Sequence, residues 1–534
     1  MLNLRLASTA SRYLPQVATA ALSVSAQASA QASKLLIDGE WKESAATEHI
    51  DVFNPATQEL VARVPETTND EFEAAVAAAK AAFPAWKATS VANRVRVMLK
   101  YQALIREHQT EIAKLIVDEQ GKTLVDAEGD VFRGLEAVEY CCTMVPHLFG
   151  ESSQSVATNL DVVSWQEPLG VCAGITPFNF PAMIPLWMFP MAITAGNTFI
   201  LKPSEKDPTA SLRLVELAEE AGVPKGVLNV VHGSVDTVNN ICDHPDIRAI
   251  SFVGSGPAGK HIFTRGSANG KRVQSNLDAK NHGVIMPDAN RESVVNALVG
   301  SGFGAAGQRC MALSTIVTVG ESAEWINDVA EKAAKLTVSG GMEPDADVGP
   351  VISKQSLERI HSIIESAEKE GATILLDGRN VDVPAKYAEG NFVGPTIITN
   401  VTPDMTCYKE EIFGPVVVVL SVDTLDEAID LVNGNEFGNG TAIFTASGAA
   451  ARKYASEVEV TQVGIGNPGV PIPVPPAAFS FSGGKASHWS GGRLFLGKEG
   501  IGFFTQTKTV MSSWNYDHEA VEELRTSMPV HHKQ

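Results

Sequence analysis

The segment Ile247–Gly259, IRAISFVGSGPAG, decides the fold of this 534-residue chain. Its first seven residues are mainly β-branched or apolar and predict a buried strand. The next six fit the pattern GxGxxG, whose glycines let the backbone approach the diphosphate of a dinucleotide at a helix N-terminus. Glycine turns after strands are common, so the segment alone is weak evidence for a dinucleotide site.

Apolar strands and helices alternate on both sides of this segment. The strands predicted around it are Asp161–Ile175, Thr198–Leu201, Val227–Val231 and Lys271–Asn276, with helices Thr209–Ala221 and Asp236–Asp243 between them. This alternation predicts an α/β fold built on a doubly wound parallel sheet. It resumes with helices Ser322–Leu336, Ser353–Glu370 and Leu425–Val432 and strands Val416–Val422 and Thr441–Phe444. We therefore expect a second α/β lobe.

Length and composition limit the class of protein. A chain of 534 residues is too long for one hydrophobic core, and its 44% hydrophobic and 19% charged residues are ordinary for a globular protein. The formal net charge of −20 argues against nucleic acid or an anionic membrane as the main partner. Six cysteines without a CxxC pair predict no disulfide framework and no structural zinc, and we expect no metal site.

Residues 1–34 have the composition of a mitochondrial transit peptide. They contain Arg5, Arg12 and Lys34, many alanines and serines, and no Asp or Glu. A secretory signal would need a continuous apolar core, which Ala18–Val24 supplies poorly. Prolines interrupt the longest apolar stretch, Phe180–Gly196, and argue against a membrane-spanning helix there. We therefore expect a mitochondrial protein that does not cross a membrane.

The segment Gly302–Ser314, GFGAAGQRCMALS, places Cys310 among small residues directly after Arg309. A catalytic thiol needs room for a substrate, a charge that favours the thiolate, and donors for an oxyanion. The glycines and alanines would supply the room and Arg309 the charge. A short polar turn entering a helix would supply backbone N–H donors. A cysteine considered in isolation is more often structural, so the assignment depends on the rest of the chain.

Two segments are candidates for holding the adenosine ribose of a dinucleotide. Asp278 lies roughly 20 residues after the glycine motif, the usual distance to a ribose-binding acid. The segment Lys202–Glu205, KPSE, closes an earlier strand and could hold both ribose hydroxyls.

Five motifs occur together in the order and spacing of one family. They are TPFNFP at Thr176–Pro181, LKPSE at Leu201–Glu205, FVGS at Phe252–Ser255, GQRC at Gly307–Cys310 and EEIFGP at Glu410–Pro415. From about residue 35 to residue 510 the chain resembles the NAD(P)-dependent aldehyde dehydrogenases. The resemblance implies an NAD-binding domain over 35–283, with part of a bridging element near 141–160. It further implies a catalytic domain over 284–475 and a bridging or oligomerisation segment with the C-terminal tail over 476–534.

The resemblance also implies roles for single residues. It implies that Cys310 is the nucleophile and that Asn179 donates a hydrogen bond to the oxyanion. A side-chain amide is suited to donating such a hydrogen bond. It puts the adenosine ribose on Lys202 and Glu205 rather than on Asp278, and the Glu205 carboxylate would disfavour the 2′-phosphate of NADP. The set implied for NAD is Thr176, Phe178, Lys202, Glu205, Lys206, Gly254, Ser255, Glu411 and Phe413, with Ser255 at the diphosphate and Glu411 and Phe413 at the nicotinamide half.

One segment departs from the hydrolytic members of that family. Their ELGGKN segment carries the glutamate that activates water, whereas this chain has NLDAKN at Asn276–Asn281. The amide of Asn276 cannot act as a general base, so a thiol acceptor becomes the expected way to remove the acyl group. The chain thus resembles the CoA-acylating branch that acts on methylmalonate semialdehyde, as the string AKNHGVIMPDAN at Ala279–Asn290 also indicates.

In that branch, arginines matching Arg133 and Arg309 hold the substrate carboxylate, a task suited to a bidentate guanidinium. The spacing of Arg133 is equally consistent with a helix-surface ion pair to Asp130 or Glu136.

We therefore expect oxidation of malonate and methylmalonate semialdehydes with NAD and coenzyme A through a thioester on Cys310. The products would be acetyl-CoA and propionyl-CoA, with the β-carboxylate lost as CO2 or bicarbonate, and the enzyme would be a homodimer or homotetramer. Two alternatives stay open. One is a hydrolytic NAD-dependent aldehyde dehydrogenase that uses Asp278 or another base. The other is a catalytically silent family member, because Asp278 stands where the family has glycine.

Overall fold

The computed structural model describes residues 32–467, 469–514 and Thr526. Most of the segment 1–34, interpreted above as a transit peptide, therefore lies outside the described residues, as does most of the chain after Trp514. Because of these limits, the description below starts at the first strand, Leu35–Ile37.

The first sheet has eight strands. In spatial order they are β2 (Glu40–Lys42), β1 (Leu35–Ile37), β9 (Leu228–Val230), β8 (Thr198–Lys202), β7 (Val171–Ile175), β10 (Ile247–Val253), β11 (Arg272–Asn276) and β21 (His488–Ser490). The strands from β9 to β11 are mutually parallel. Because the chain reverses its direction of travel across the sheet between β7 and β10, this is the predicted doubly wound arrangement, which binds ligands at the carboxyl ends of those strands.

The second sheet has seven strands and forms the second predicted lobe. In spatial order they are β14 (Thr373–Leu376), β15 (Thr396–Thr399), β16 (Val416–Val422), β13 (Thr315–Val319), β12 (His282–Ile285), β18 (Gly440–Phe444) and β19 (Gln462–Gly466). All neighbouring pairs except β14–β15 are parallel.

Three small sheets complete the described strands. They are β22–β6–β5 (Thr505–Ser513, Leu160–Pro168, Ser152–Ala157), β3–β4 (His49–Phe53, Leu60–Pro65) and β17–β20 (Phe437–Gly438, Gly484–Lys485). The sheet β22–β6–β5 joins a segment near residue 155 to the end of the chain. It lies where the bridging element was expected, but the proposed domain boundaries stay a prediction.

The helices cover both faces of the first sheet and flank the second. They are α1 (Asn69–Ala88), α2 (Val91–Glu107), α3 (Gln109–Gln120), α4 (Leu124–Cys141), α5 (Met183–Thr194), α6 (Thr209–Ala221), α7 (Val235–Asp243), α8 (Gly256–Ala268), α9 (Arg291–Phe303), α10 (Ile326–Ala333), α11 (Lys354–Lys369), α12 (Thr406–Lys409), α13 (Leu425–Gly434), α14 (Gly448–Glu457) and α15 (Gly497–Phe503). Short 3₁₀ helices occupy Val145–Leu148, Gly304–Gly307, Gly320–Trp325 and Ala385–Tyr387. Residues of α1, α7 and α8 form the core on one face of the first sheet, and those of α2 to α6 form the core on the other.

Most predicted elements are confirmed, and α6, β10 and β16 have the bounds expected. The single strand Asp161–Ile175 is wrong, because the chain forms β6 and β7 in two different sheets. Gly170 has a φ of +133° between them, and the Asn197 side chain accepts hydrogen bonds from the N–H groups of Leu169 and Gly170. The predicted helix Ser322–Leu336 begins instead as a 3₁₀ turn that leads into α10.

Helix α5 occupies part of the apolar stretch that was expected not to span a membrane. Its twelve residues are all buried, and the chain stays helical through Pro185 and Pro190. Twelve residues extend about 18 Å, which is shorter than a bilayer core. Among the described residues, no helix has both the length and the apolar character needed to cross a membrane.

Candidate active site

A cleft of about 920 Å³ opens where the carboxyl ends of β7, β8, β10 and β11 face the second lobe. Its lining brings together all the predicted site residues except Arg133 and Arg309. The predicted site residues that line the cleft are Thr176, Phe178, Asn179, Lys202, Glu205, Lys206, Gly254, Ser255, Cys310, Glu411 and Phe413. Residues spread over more than two hundred positions of sequence therefore meet at the edge of the sheet where a ligand is expected.

The loop that carries Cys310 is held from several directions. The backbone carbonyl of Cys310 accepts hydrogen bonds from the side-chain amides of Asn281 (2.9 Å) and Asn439 (3.1 Å). The preceding residues 305–307 all have positive φ, and a Cβ on Gly307 would lie 2.0 Å from the carbonyl oxygen of Gly414. The turn expected to enter a helix instead leaves α9 and leads into β13. Strain of this kind concentrates at functional sites and here fixes the direction of the thiol.

The surroundings of Cys310 do not favour its thiolate. Burial and the negative charge of Glu411 raise the pKa of the thiol to about 12, although the backbone N–H groups of Cys310 and Met311 reach the sulfur and oppose the increase. The prediction that Arg309 supplies the activating charge is wrong. Its guanidinium forms a 2.5 Å ion pair with Asp126 of α4, and Arg309 is not among the groups that shift the pKa of the Cys310 thiol.

Asn179 is placed to bind an oxyanion beside Cys310. The side chain is buried, and its Nδ2 donates to the backbone carbonyl of Gln308 at 3.1 Å. An amide nitrogen carries two hydrogens, so one remains for a substrate oxygen. The backbone carbonyl of Asn179 accepts a 2.7 Å hydrogen bond from Lys122, which the motif analysis did not identify.

Lys122 belongs to a buried ion pair behind this site. Its ammonium lies 3.1 Å from the carboxylate of Asp130, and both side chains are fully buried. Asp130 also accepts from the N–H of Met183 at the start of α5, at 2.7 Å. The proposed alternative pairing of Asp130 with Arg133 is therefore wrong. Breaking such a buried pair typically costs 3–5 kcal/mol, so Lys122 holds Asn179 firmly in place.

The far end of the cleft carries the residues expected at the adenosine ribose. Lys202 lies at the end of β8, and its ammonium is 3.2 Å from the carboxylate of Glu205. Burial would raise the pKa of Glu205, but the charge of Lys202 and hydrogen bonds outweigh it and lower that pKa. Glu205 is thereby kept as a carboxylate that can accept hydrogen bonds from hydroxyl groups.

Two aromatic rings narrow the cleft nearer to Cys310. Phe178 and Phe413 contact each other edge to face, with ring centroids 5.8 Å apart. Phe413 has a φ of +56°, which is uncommon for a bulky residue and marks a constrained loop. Lys206 lies 5.1 Å above the ring of Phe178.

Polar atoms in the lining of the cleft remain available to form hydrogen bonds with a dinucleotide. The hydroxyl of Thr176 and the Oδ1 atom of Asn276 are buried in the cleft without a hydrogen-bond partner among the described residues. Ser255 caps α8 without a side-chain hydrogen bond to the helix. Because buried polar atoms need partners, these residues fit a ligand rich in hydroxyl and phosphate groups.

Asn276 occupies the position where the hydrolytic enzymes are expected to carry a base. It lines the same cleft as Cys310 and is almost fully buried. Two other carboxyl groups are close. Asp278 accepts a 2.8 Å hydrogen bond from the N–H of Gly256, and Glu411 accepts a 3.0 Å hydrogen bond from the N–H of Ala279. Asp278 therefore lies at the start of α8 and not with Lys202 and Glu205.

The two arginines expected to hold a carboxylate lie outside the lining of this cleft. Arg133 pairs with Glu136 at 2.5 Å, as its spacing allowed, and also donates to the carbonyls of Val474 and Pro475. Arg133 is a residue of α4. Arg309 contacts the same helix through Asp126, which lies two turns before Arg133. Their role toward a substrate stays a prediction. Among the described residues, no group of three or more His, Cys, Asp or Glu side chains is arranged to bind a metal ion.

Comparison with known proteins identifies the class. Residues 41–510 match the sequence model of the aldehyde dehydrogenase family, and the chain belongs to that family. The predicted family and fold class are therefore confirmed.

Individual relatives narrow the similarity further. The methylmalonate-semialdehyde/malonate-semialdehyde dehydrogenase [acylating], mitochondrial, of Rattus norvegicus is 57% identical over 496 residues, which are 93% of this chain and 92% of that protein. The crystal structure of methylmalonate-semialdehyde dehydrogenase from Oceanimonas doudoroffii is 44% identical, with a TM-score of 0.89 over 91% of this chain and 99% of that one. Betaine aldehyde dehydrogenase from Staphylococcus aureus in complex with NAD+ is 30% identical, with a TM-score of 0.86 over 91% and 96%.

Proposed function

We propose that this chain is an NAD-dependent, CoA-acylating dehydrogenase of malonate semialdehyde and methylmalonate semialdehyde. The products are acetyl-CoA and propionyl-CoA. The bond from the α carbon to the β-carboxylate breaks, the carboxylate leaves as CO2 or bicarbonate, and the α carbon takes a proton from solvent. The observation that carries the proposal is Asn276, which faces the Cys310 cleft where a hydrolytic enzyme needs a base. Two similar proteins support it: the rat relative is named an acylating dehydrogenase of both semialdehydes, and the Oceanimonas protein is named a methylmalonate-semialdehyde dehydrogenase.

Acylation depends on Cys310 and Asn179. The Cys310 thiol releases its proton to solvent as its sulfur adds to the aldehyde carbon. The resulting oxyanion accepts hydrogen bonds from the free Nδ2 hydrogen of Asn179 and from the Cys310 backbone N–H. Donors placed in advance at such an oxygen stabilise the transition state because they need no reorganisation. A bound NAD supplies the acceptor for the hydride that leaves the adduct, and a thioester on Cys310 remains.

Lys202 and Glu205 hold the adenosine end of the cofactor in this proposal. Thr176, Phe178, Lys206, Gly254 and Ser255 line the same cleft, with Ser255 proposed for the diphosphate, and Glu411 and Phe413 are proposed for the nicotinamide half. The carboxylate of Glu205 accepts from ribose hydroxyls and disfavours a 2′-phosphate, which supports NAD over NADP.

Deacylation needs an acceptor that requires little help from a base. Asn276 cannot take a proton, and it stands where the hydrolytic enzymes are expected to carry their base, whereas Asp278 and Glu411 each accept a backbone N–H, of Gly256 and Ala279. The thiolate of CoA attacks the thioester carbon, the Cys310 thiolate leaves, and acyl-CoA is formed. A thiolate is a far better nucleophile than water, so this step proceeds without a dedicated base.

The proposed acceptor is tested by following NADH with and without CoA. Without CoA we expect a burst of about one NADH per active site followed by a slow phase, because the thioester persists. Adding CoA should restore steady turnover, and mass spectrometry should find acetyl-CoA or propionyl-CoA. Full turnover in water alone would instead support the hydrolytic alternative, and no burst in either condition would support a silent family member.

Arg309 is proposed to hold the substrate carboxylate when it is released from Asp126. We expect Arg309→Leu to lower kcat/KM for methylmalonate semialdehyde by roughly 30-fold or more, the cost of about 2–4 kcal/mol for a charge-assisted contact, and to change propanal far less. Arg133→Leu, measured on the same two substrates, tests the second arginine.

The control for this substitution is Asp126→Asn. Asp126 also accepts a 3.0 Å hydrogen bond from the N–H of Ala305 in the Cys310 loop. Asparagine at position 126 keeps an oxygen that can accept this hydrogen bond but removes the negative charge that pairs with Arg309. The rate of propanal oxidation should therefore change little. Equal losses on both aldehydes in Arg309→Leu would assign Arg309 to loop support and not to substrate binding.

We place the enzyme in the mitochondrial matrix as a homodimer or homotetramer. The composition of residues 1–34 and the mitochondrial designation of the rat relative support the location. Exposed apolar side chains on the sheet β22–β6–β5 support assembly, and they include Val156, Val163, Trp165 and Met511. Size-exclusion chromatography with light scattering measures the assembly directly.

A further inference from the structure

Asp278 is the residue of the cleft that the proposed reaction does not use. Its Oδ1 atom accepts the N–H of Gly256, the first residue of α8, at 2.8 Å. A Cβ on Gly256 would lie 2.5 Å from Oδ2 of Asp278, so the carboxylate packs directly on the start of this helix. The N-terminus of a 13-residue helix attracts anions, and here a side chain of the protein already fills that place.

A second carboxyl contacts Asp278 from the other lobe. Glu411 is hydrogen-bonded to Asp278, and burial together with the charge of Asp278 raises the pKa of Glu411 to about 8. Glu411 is therefore mostly protonated near neutral pH. The hydrogen bond from the Gly256 N–H is of the kind that stabilises a carboxylate.

The nearby cations are bonded elsewhere. Lys280 donates to the carbonyls of Cys407 (2.6 Å) and Glu410 (2.7 Å). Arg359 contacts the carboxylate of Glu410 at 3.3 Å, and Lys409 pairs with Asp404 at 3.7 Å. In the described part of the chain, no Lys or Arg forms an ion pair with Asp278. The charge at the start of α8 is therefore not neutralised by a neighbouring side chain.

We propose that Asp278 lowers the affinity for the dinucleotide by presenting a carboxylate to its diphosphate at the N-terminus of α8. The inference rests on the NAD cofactor proposed above and adds to it how tightly this chain holds that cofactor. Asp278 takes up one backbone donor that the diphosphate would use and repels its negative charge. Both oxidised and reduced cofactor are consequently held weakly and released quickly.

Two substitutions of Asp278 distinguish the effect of its charge on NAD binding from the effect of its side-chain volume. Asp278→Asn keeps the Oδ1 acceptor for Gly256 but removes the charge, and Asp278→Gly removes the side chain and frees the N–H. We expect the Kd of NAD to fall about tenfold in both variants, because each removes a repulsion between like charges that solvent in the open cleft partly screens. Glu436→Gln, at an exposed acid at the mouth of the cleft, should change the Kd less than twofold because exposed charges are screened.

The measurement is isothermal titration of the full chain with NAD, with NADH and with ADP-ribose, and with adenosine as the fragment that lacks phosphate. Affinity should increase for the three diphosphates, while competition by adenosine should stay at the wild-type level. A decrease in Kd of threefold or more in both variants supports the proposal. An unchanged Asp278→Asn, or weaker binding in either variant, overturns it.

Matching melting temperatures show that a variant is folded, and Asp278→Ser replaces Asp278→Gly if the glycine variant is unstable. The two proposals fail in different ways. A wild-type protein that does not bind NAD overturns the proposed cofactor, whereas a wild-type protein that binds NAD with the same Kd as both variants overturns only the role of Asp278.

Discussion

Cys310→Ala eliminates the burst of NADH and lowers kcat for any aldehyde by at least about 10³-fold, because no other group in the cleft can form the thioester. NAD binding should stay within a few-fold of wild type, since the thiol is not part of the dinucleotide contacts proposed here. Rapid-mixing fluorescence measures the burst, and titration measures the Kd of NAD.

Cys142→Ala is the matched control for this result. Cys142 is partly exposed like Cys310, but it caps the end of α4 and does not line the cleft. Its removal should leave both the burst and the Kd unchanged. A substantial burst in Cys310→Ala would remove Cys310 from its proposed role.

Asn179→Ala should lower kcat by about 10²- to 10³-fold, the usual effect of losing one oxyanion donor. The structure favours an effect on kcat more than on KM, because the free hydrogen of Nδ2 is used only when negative charge develops on the substrate oxygen. The backbone contact with Lys122 stays in the variant, whereas the hydrogen bond from Nδ2 to the Gln308 carbonyl is lost, so the accessibility of Cys310 has to be measured alongside kcat.

Asn179→Asp sharpens this test. Aspartate has nearly the same shape but offers no N–H donor when ionised and adds a charge beside the oxyanion, so it should be at least as impaired as alanine. Alkylation of Cys310 by iodoacetamide reports whether the thiol remains accessible in both variants. A loss of less than about tenfold in kcat for Asn179→Ala would leave the oxyanion to the backbone N–H groups alone.

The pattern of apolar residues in the sequence predicted the bounds of an element correctly wherever the interactions that set those bounds are local. The bounds of α6 and β10 follow from the spacing of apolar residues, because each element buries a face that the sequence itself defines. The break between β6 and β7 was missed, since it depends on a positive φ at Gly170 and on the side chain of Asn197, which is distant in sequence.

In the candidate site too, the sequence identified some residues and only the structure identified others. The motifs identified Cys310, Asn179, Lys202 and Glu205 because Asn179, Lys202 and Glu205 lie at the carboxyl ends of β7 and β8 and Cys310 lies in a recognisable loop between α9 and β13. They did not identify Lys122 or Asp130, since a buried lysine and aspartate carry no signal in sequence until the fold places them behind Asn179.

The sequence by itself determined the family, the doubly wound sheet, the nucleophile and the absence of a glutamate at position 276, because these depend on residue type and order. Only the tertiary structure decided how the charges are paired. Arg309 meets Asp126 from a different lobe, and Asp278 meets both Gly256 and Glu411. Electrostatic effects depend on distance and burial, and the distances between residues far apart in sequence exist only after folding.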